Sequence, residues 1–539
     1  MYWTDDRPDQ TLGSALAGAV ERYGDKEAYT FPGRRISFRE ADAESDSFAR
    51  ACLALGLKRG DRVGALMASH PEWVALYFGL AKIGVSMVPL NTRFKASEIE
   101  FVLKKSGVKA LFFRSSDMSG KDYAALLAEV VPALGASRPG ELHSVALPAL
   151  RTVIDLAERP AAGTVPYADF LAGASGTTRE TLAAARRAVQ PRDEALVQFT
   201  SGTTSFPKGA MLYHAGMLRG AAHSIRIMRV GERDAYFSVQ PFYHSGGTLG
   251  TMLPPLISGC RVVTLVYFDT GDALEMMESE RATVVVGHQP HYIEYLNHPS
   301  FPQRRLALER MFIIAGPEIF RMVKERTGID ALVSGYGMTE SHLYGTYTTL
   351  DDPEALRFNT NGRAVAGVEV EIRDPDDGVT VLGPDEEGEI FLKVEHPMLG
   401  YLDEPELTRE VLDEAGWYRS GDQGVLGANG YLRLLGRVRD MIRVGGENLA
   451  GAEVEACLLE HPAVKQAAAV PGPDPRLGEV VVAFVELKEG APADVRGLTE
   501  HCKARLASFK VPRAVHFVTE WPMSGTGKIQ KRLLLKSLS

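Results

Sequence analysis

Thr200-Ser201-Gly202-Thr203-Thr204-Ser205-Phe206-Pro207-Lys208-Gly209 follows directly on the apolar run 195–199. An apolar run that ends in small and hydroxylated residues followed by a lysine can close on phosphate oxygens. Backbone N–H groups approach closely, hydroxyls donate, and Lys208 adds a point charge. Taken alone, the stretch reads equally as a solvated Ser/Thr turn. Gly202 and Lys208 have the glycine-to-lysine offset of the phosphate loop of nucleotide hydrolases, but Pro207 precedes the lysine and Gly209 stands where a magnesium-binding Ser or Thr belongs. That class of loop is therefore excluded.

Outward from this loop, apolar residues set a β-α-β rhythm. Leu12, Ala15, Leu16, Ala19 and Tyr23 recur at helical spacing, with Thr11 available as a cap and Gly24 as a stop, so an amphipathic helix opens the fold. Residues 63–67 read as a strand, 71–82 as a helix, 85–90 as a strand, 97–105 as a helix and 108–113 as a strand, which implies parallel β-α-β units. A second run predicts a second α/β lobe, with strands at 261–265 and 283–286 around a helix at 272–280. Between the two, 132–192 is rich in Ala, Arg, Gly and Pro and weakly periodic, as in a peripheral segment or insertion. Past Gly378, short strands and turns suggest a β subdomain covering roughly 370–436. Helices at 452–460 and 498–507 and strands at 467–470 and 480–487 then predict a separate tail. The fold class is α/β: an N-terminal domain over 1–436, built from two α/β lobes and the β subdomain, and a small α+β C-terminal domain over 437–539.

The 539 residues are 45% hydrophobic and 24% charged, the balance of a globular chain able to bury several cores. A formal net charge of -9 argues against nonspecific attraction to nucleic acid or an anionic membrane surface, so an anionic substrate must find local positive charge. Cys52, Cys260, Cys457 and Cys502 are too widely spaced for a metal-ligand pair or a dithiol motif, and read as reduced, buried thiols. The amino terminus, Met1-Tyr2-Trp3-Thr4-Asp5-Asp6-Arg7, lacks a basic region followed by an apolar core. The longest apolar stretch, 74–90, is broken by Lys82 and Gly84 and is short for a membrane span. The expectation is a soluble cytoplasmic protein with no nucleic-acid partner; the sequence is compatible with a homodimer.

Further segments extend the pattern: Gln240-Pro241-Phe242-Tyr243-His244-Ser245-Gly246-Gly247, Ala315-Gly316-Pro317, Gly335-Tyr336-Gly337-Met338-Thr339-Glu340, Trp417-Tyr418-Arg419-Ser420-Gly421-Asp422, Gly436-Arg437-Val438-Arg439-Asp440, Val444-Gly445-Gly446-Glu447-Asn448 and Ser524-Gly525-Thr526-Gly527-Lys528-Ile529. Each has a plain reading when isolated. His244 could be a packed or capping histidine, Glu340 a helix-starting charge, Asp422 a turn residue and Lys528 a solvated cation. Together, in this order across almost the whole chain, they resemble the motifs of adenylate-forming enzymes, the superfamily of acyl-CoA synthetases, peptide-synthetase adenylation domains and luciferases. Ser205 and Ser420 stand where the usual forms have Gly and Thr.

The resemblance implies roles. Thr200, Ser201, Gly202, Thr203, Thr204 and Lys208 would hold phosphates, Gly316, Tyr336, Gly337 and Met338 the adenine, Thr339 the α-phosphate, and Asp422 and Arg437 the ribose. Thr200 and Glu340 would bind Mg²⁺, and the catalytic set would be Lys528, Lys208, His244 and Arg437. Gly445, Gly446 and Glu447 would line a channel for coenzyme A, with Arg439 as hinge of a mobile C-terminal domain. His244, Gly287, His288, Tyr292, Gly337 and Met338 would surround the acyl group. The stretch Gly287-His288-Gln289-Pro290-His291-Tyr292 is polar for an alkyl tunnel, which suits a ring or polar substituent, although His288 and Gln289 also suit the cap of a helix beginning near Pro290. No carboxylate between Val239 and Leu253 is available to hold an amino acid's ammonium. The implied activity is AMP-forming ligation of a carboxylic acid to CoA at the expense of ATP, the acid being a medium- or long-chain fatty acid or a cyclic or aromatic carboxylate. Two alternatives stand beside it, a ligase that loads a carrier protein and an inactive nucleotide-binding regulator.

Overall fold

Thr11 caps the first helix, Leu12–Tyr23, by accepting the Ser14 N–H at 3.1 Å, and Gly24 ends it at a φ of 51°, which a residue without Cβ adopts freely. Leu12, Ala15, Leu16 and Ala19 bury the predicted face. The computed structural model describes residues 10–116, 120–200, 207–438, 441–444, 447–474, 477–506, 508–523 and 529–537.

Among these residues, two seven-stranded sheets form the large N-terminal domain. The first has the spatial order Val165–Pro166, Thr152–Asp155, Ala110–Phe113, Arg62–Leu66, Ser86–Pro89, Glu194–Thr200, Lys208–Tyr213, parallel except for the closing hairpin. The second runs Ala331–Val333, Arg310–Ile314, Val284–His288, Ala235–Ser238, Arg261–Val263, Glu27–Phe31, Arg34–Ser37, again parallel up to a terminal hairpin. Apolar β-branched strands buried on both faces are what parallel sheets require. The predicted helices appear as Glu72–Lys82, Ala96–Ser106 and Thr270–Ser279.

One feature departs from the sequence reading, and another was not read from it. Residues 132–192 are more than an appended insertion, because Thr152–Asp155 and Val165–Pro166 extend the first sheet. Fully buried Asp155 anchors that edge by accepting N–H groups of Ser115, Ala157 and Ala161 at 3.0, 2.9 and 2.9 Å. Glu27–Phe31 pairs with Arg261–Val263, so the start of the chain completes the second sheet rather than the first. Lys82, which interrupts the apolar stretch, is buried, with its ammonium 2.7 Å from Asp42 Oδ1 and 2.6 Å from Ser45 Oγ.

A four-stranded antiparallel sheet follows, formed by Val368–Arg373, Glu387–Val394, Trp417–Leu426 and Leu432–Arg437. The small C-terminal domain packs helices Gly451–Leu459 and Val495–Lys503 on strands Met441–Val444, Glu447–Ala450, Val464–Asp474, Gly478–Leu487 and Ala514–Phe517. Lys465 reaches Glu294 of the large domain at 3.1 Å. No helix among the described residues is long and apolar enough to cross a membrane.

Candidate active site

The quoted Ser/Thr stretch joins two antiparallel strands: Thr200 ends one and pairs with Lys208, which begins the next. Residues 201–206 lie outside the described residues, and with them Ser201, Gly202, Thr203, Thr204 and Ser205. A segment from the far side of the β subdomain docks on this hairpin. Met211 N–H donates to Gly400 O at 3.0 Å, Leu399 N–H to Met211 O at 2.8 Å, and Leu402 N–H to Gly209 O at 2.8 Å. That pairing fixes Tyr401, which no sequence motif singled out. The Lys208 ammonium lies 5.5 Å from its ring centroid, and its hydroxyl donates to Glu340 Oε1 at 2.8 Å while standing 3.1 Å from the Tyr418 hydroxyl. Burial, with Glu340 alongside, raises the Tyr418 hydroxyl pKa well above its usual value and keeps it a neutral donor. Met398 N–H donates to Glu340 O at 2.8 Å, so one strap orders both the lysine and the carboxylate.

Tyr336 and Asp422 come from different sheets and meet, the tyrosine hydroxyl donating to Asp422 Oδ2 at 2.6 Å. Ser420 performs locally what a Thr hydroxyl would: its Oγ donates to Ile390 O at 2.6 Å and accepts the Asp422 N–H at 3.0 Å. Arg437 is paired with Asp422 in the strand register. Gly337 is a steric requirement, since a Cβ there would stand 2.8 Å from the Leu343 carbonyl. Thr339 Oγ1 lies 2.9 Å from Ser245 Oγ, which joins the nucleotide-like segment to the His244 segment. His244 precedes the short helix Ser245–Thr248, and its carbonyl accepts the Gly247 and Thr248 N–H groups at 2.9 and 2.8 Å. A Cβ on Gly316 would crowd Glu318 Oε1 at 2.5 Å, so the turn before the helix Pro317–Thr327 is occupied by that carboxyl group.

Of the residues expected around the acyl group, His288 takes the position before the helix Gln289–Asn297, and its Nε2 lies 3.2 Å from Gln240 Oε1. His291 Nδ1 accepts the His288 N–H at 3.2 Å, and burial pulls the His291 pKa down to about 4, so this ring is neutral. Tyr292 is buried; its hydroxyl donates to Phe312 O at 2.8 Å and its ring lines an apolar cavity of about 20 Å³ with Leu274, Met277 and Leu296. Gly287 admits that ring, a Cβ there standing 3.2 Å from it. Lys528, Arg439, Gly445 and Gly446 lie outside the described residues, as do the side chains of Arg437 and Glu447; the backbone of Glu447 pairs with Val444.

Residues 16–402 match the family profile described as AMP-binding enzyme, and residues 453–528 match the AMP-binding enzyme C-terminal domain. The chain belongs to the AMP-binding enzyme family. Its relatives include the mitochondrial medium-chain acyl-CoA ligase ACSF2 of Bos taurus, 32% identical over 541 residues that cover 97% of this chain and 86% of the relative. Another is the 7a-methyl-1,5-dioxo-octahydro-1H-inden-4-yl propanoyl:CoA ligase of Rhodococcus jostii (strain RHA1), 33% identical over 528 residues, covering 97% and 98%. Among solved structures, the anthranilate CoA ligase AuaEII in complex with anthranoyl-AMP superposes with a TM-score of 0.87 at 26% identity, covering 98% of this chain and 97% of the other. A benzoate CoA ligase from Burkholderia xenovorans LB400 gives 0.82 at 25% identity, covering 98% and 100%.

For an AMP-binding enzyme the fit of a magnesium ion can be judged from the donors. Among the described residues no cluster of three His, Cys, Asp or Glu could enclose a metal. Glu340 is a buried carboxylate whose Oε1 is engaged by Tyr401 and whose second oxygen has no partner among the described residues. That set suits Mg²⁺, which binds through one or two carboxylates plus nucleotide phosphates rather than a full protein cage.

Proposed function

We propose that this protein is an AMP-forming acid:CoA ligase that activates a medium-chain, cyclic or aromatic carboxylic acid through an acyl-adenylate. The observation that carries the reading is the joint placement of Lys208 and Glu340 on Tyr401, a cation and a metal-type carboxylate organised by one aromatic ring. Such a pair is what a triphosphate with its counter-ion needs. The relatives' names, which cover medium-chain, bicyclic and aromatic acids, support the substrate range.

In the first half-reaction a carboxylate oxygen attacks the α-phosphorus of ATP, and the bond to the β-phosphate oxygen breaks to release pyrophosphate. Negative charge grows on the nonbridging and leaving oxygens. Lys208, the Thr339 hydroxyl and, from the C-terminal domain, Lys528 stabilise it; in related settings one such donor contributes about 3–4 kcal/mol, two to three powers of ten in rate. Mg²⁺ held by Glu340 and Thr200 would neutralise phosphate charge. Asp422 accepts from the ribose hydroxyls, and Tyr336, fixed by its bond to Asp422, gives the adenine a stacking face. In the second half-reaction the CoA thiolate attacks the acyl carbon and AMP departs with the bonding electrons. Lys528 and the Gly445-Gly446 loop cannot serve the same small site together, so the C-terminal domain turns about Arg439 between the two steps. The free thiols Cys52, Cys260, Cys457 and Cys502 are all buried, which suits a reducing, cytoplasmic setting.

Acid-dependent release of pyrophosphate and AMP, measured over short, medium and long alkyl, cyclic and aromatic acids with and without CoA, tests this reading. AMP accumulation that needs both acid and CoA is expected. Nucleotide turnover with no acid offered, or none at all, overturns it.

A further inference from the structure

At the amino ends of the second sheet lies an open cleft of about 590 Å³, bordered by Lys26, Arg233, Arg261, Glu280 and Arg281. Arg281 precedes the strand Val284–His288, so the cleft is a strand's length from His288 and the acyl side. Three of its carboxylates are neutralised within the wall. Arg35 lies 2.7 Å from Glu27 and 2.6 Å from Glu280, Arg261 also pairs with Glu280, and Arg310 pairs with Asp234. The guanidinium groups of Arg233 and Arg281, by contrast, have no hydrogen-bond or ion-pair partner among the described residues. Lys26 donates to the carbonyls of Gly259, at 2.6 Å, and Glu232 rather than to a carboxylate. Against these three cations the lining sets one carboxylate without an ion pair among the described residues, Glu232. The cleft therefore keeps a positive surplus in a chain of net charge -9.

The two unpaired arginines are matched in register. Tyr236 pairs with Val284 across parallel strands, and Arg233 and Arg281 each stand three residues before that pair. Adjacent strands run about 4.8 Å apart, so two guanidinium forks open from neighbouring turns onto one cleft. Arg281 also sits at φ 51°, just past the helix Thr270–Ser279 and its cap Glu280, where glycine is the usual residue because a Cβ is strained there. The last turn of that helix holds no basic residue, so a cation wanted only for the helix dipole had unstrained places to stand. An arginine kept at this position with its guanidinium unused by the fold points to a use outside it.

We propose that this cleft is a binding site, separate from catalysis, for a small molecule bearing two adjacent phosphate groups, held by the guanidinium groups of Arg233 and Arg281 with Lys26 adding charge. Planar forks match phosphate oxygens two at a time, and a pair of them suits a diphosphate better than a single carboxylate. A cleft of about 590 Å³ has room for a nucleotide-sized ligand. The negative charge of the whole chain works against an extended polyanion such as a nucleic acid. The inference goes beyond the acid:CoA ligase reading and does not depend on it.

Equilibrium dialysis of labelled pyrophosphate against the full-length protein, at low salt and without magnesium, tests this by counting bound equivalents. Binding at the nucleotide site is common to all the proteins compared, so the cleft is read by difference. The wild type should bind one equivalent more than the double variant Arg233→Gln with Arg281→Gln, and each single variant should weaken that equivalent by about tenfold or more, the scale of one charge-assisted contact. Sodium chloride at matched ionic strength should leave it bound. Arg281→Gly separates binding from folding: with the backbone strain relieved, its thermal midpoint without ligand should rise while the extra equivalent is lost. Equal numbers of equivalents in the wild type and the double variant, displacement by chloride at matched ionic strength, or a lower ligand-free midpoint in Arg281→Gly overturns the inference. None of these outcomes touches the ligase reading, which stands or falls on acid-dependent pyrophosphate release.

Discussion

Replacing Tyr401 by Phe removes one oxygen atom and leaves the ring that faces Lys208 at 5.5 Å. The lost hydroxyl donates to Glu340 Oε1 at 2.8 Å and meets the Tyr418 hydroxyl at 3.1 Å. A hydrogen bond to a charged group contributes about 1.5–3 kcal/mol, and here it orients a carboxylate that is only 9% exposed and has few ways to relax. If that orientation serves the transition state, Tyr401→Phe lowers acid-dependent ATP–pyrophosphate exchange by about 10- to 150-fold. The Mg²⁺ concentration for half-maximal exchange should also rise, which a defect of packing alone would not produce. The assay is exchange at fixed ATP with titrated magnesium, alongside a thermal melt. A variant that melts like the wild type and keeps both its exchange rate and its magnesium dependence would refute the role assigned to the Tyr401 hydroxyl.

The two half-reactions separate in a pair of variants: Lys528→Ala should lose adenylation by about a hundredfold or more yet form thioester from supplied acyl-adenylate, whereas Arg439→Pro should adenylate and fail at thioester formation, each read by single-turnover assay. Equal loss of both steps in both variants would contradict a turning C-terminal domain. Gly220→Ala should lower the thermal midpoint, since the added Cβ would stand 1.8 Å from His342 O, an overpacking that costs about 1–3 kcal/mol or more. His214 is fully buried, and burial lowers its pKa from 6.5 to about 4, consistent with its Nδ1 accepting the Leu12 N–H at 3.3 Å. The unfolded chain takes up that proton first as pH falls, so stability is complete above pH 6.5 and declines toward pH 4 by up to about 1.4 kcal/mol per pH unit from this group. Urea midpoints at pH 7 and pH 5 should differ less in His214→Asn than in the wild type.

How much was legible in the sequence follows from the range of each interaction. The β-α-β rhythm, the Thr11 and Gly24 helix ends and the strand before Thr200 depend on local spacing and capping, and the structure has them. Side chains that gain meaning from distant partners were hidden. Tyr401 acts through a strap that docks on a hairpin far upstream. Glu27–Phe31 joined the second sheet by a long-range parallel pairing that no local pattern encodes. Lys82 looked like an interruption because its partners, Asp42 and Ser45, lie on another helix.

The most direct test of the account is to follow an oxygen atom. With an acid whose carboxylate carries heavy oxygen, attack on the α-phosphorus leaves one labelled oxygen in the phosphate of AMP, and mass spectrometry of the AMP formed in the presence of CoA should find it there. Unlabelled AMP, or formation of ADP with label in inorganic phosphate, would contradict an acyl-adenylate at the site that Lys208, Glu340 and Tyr401 build.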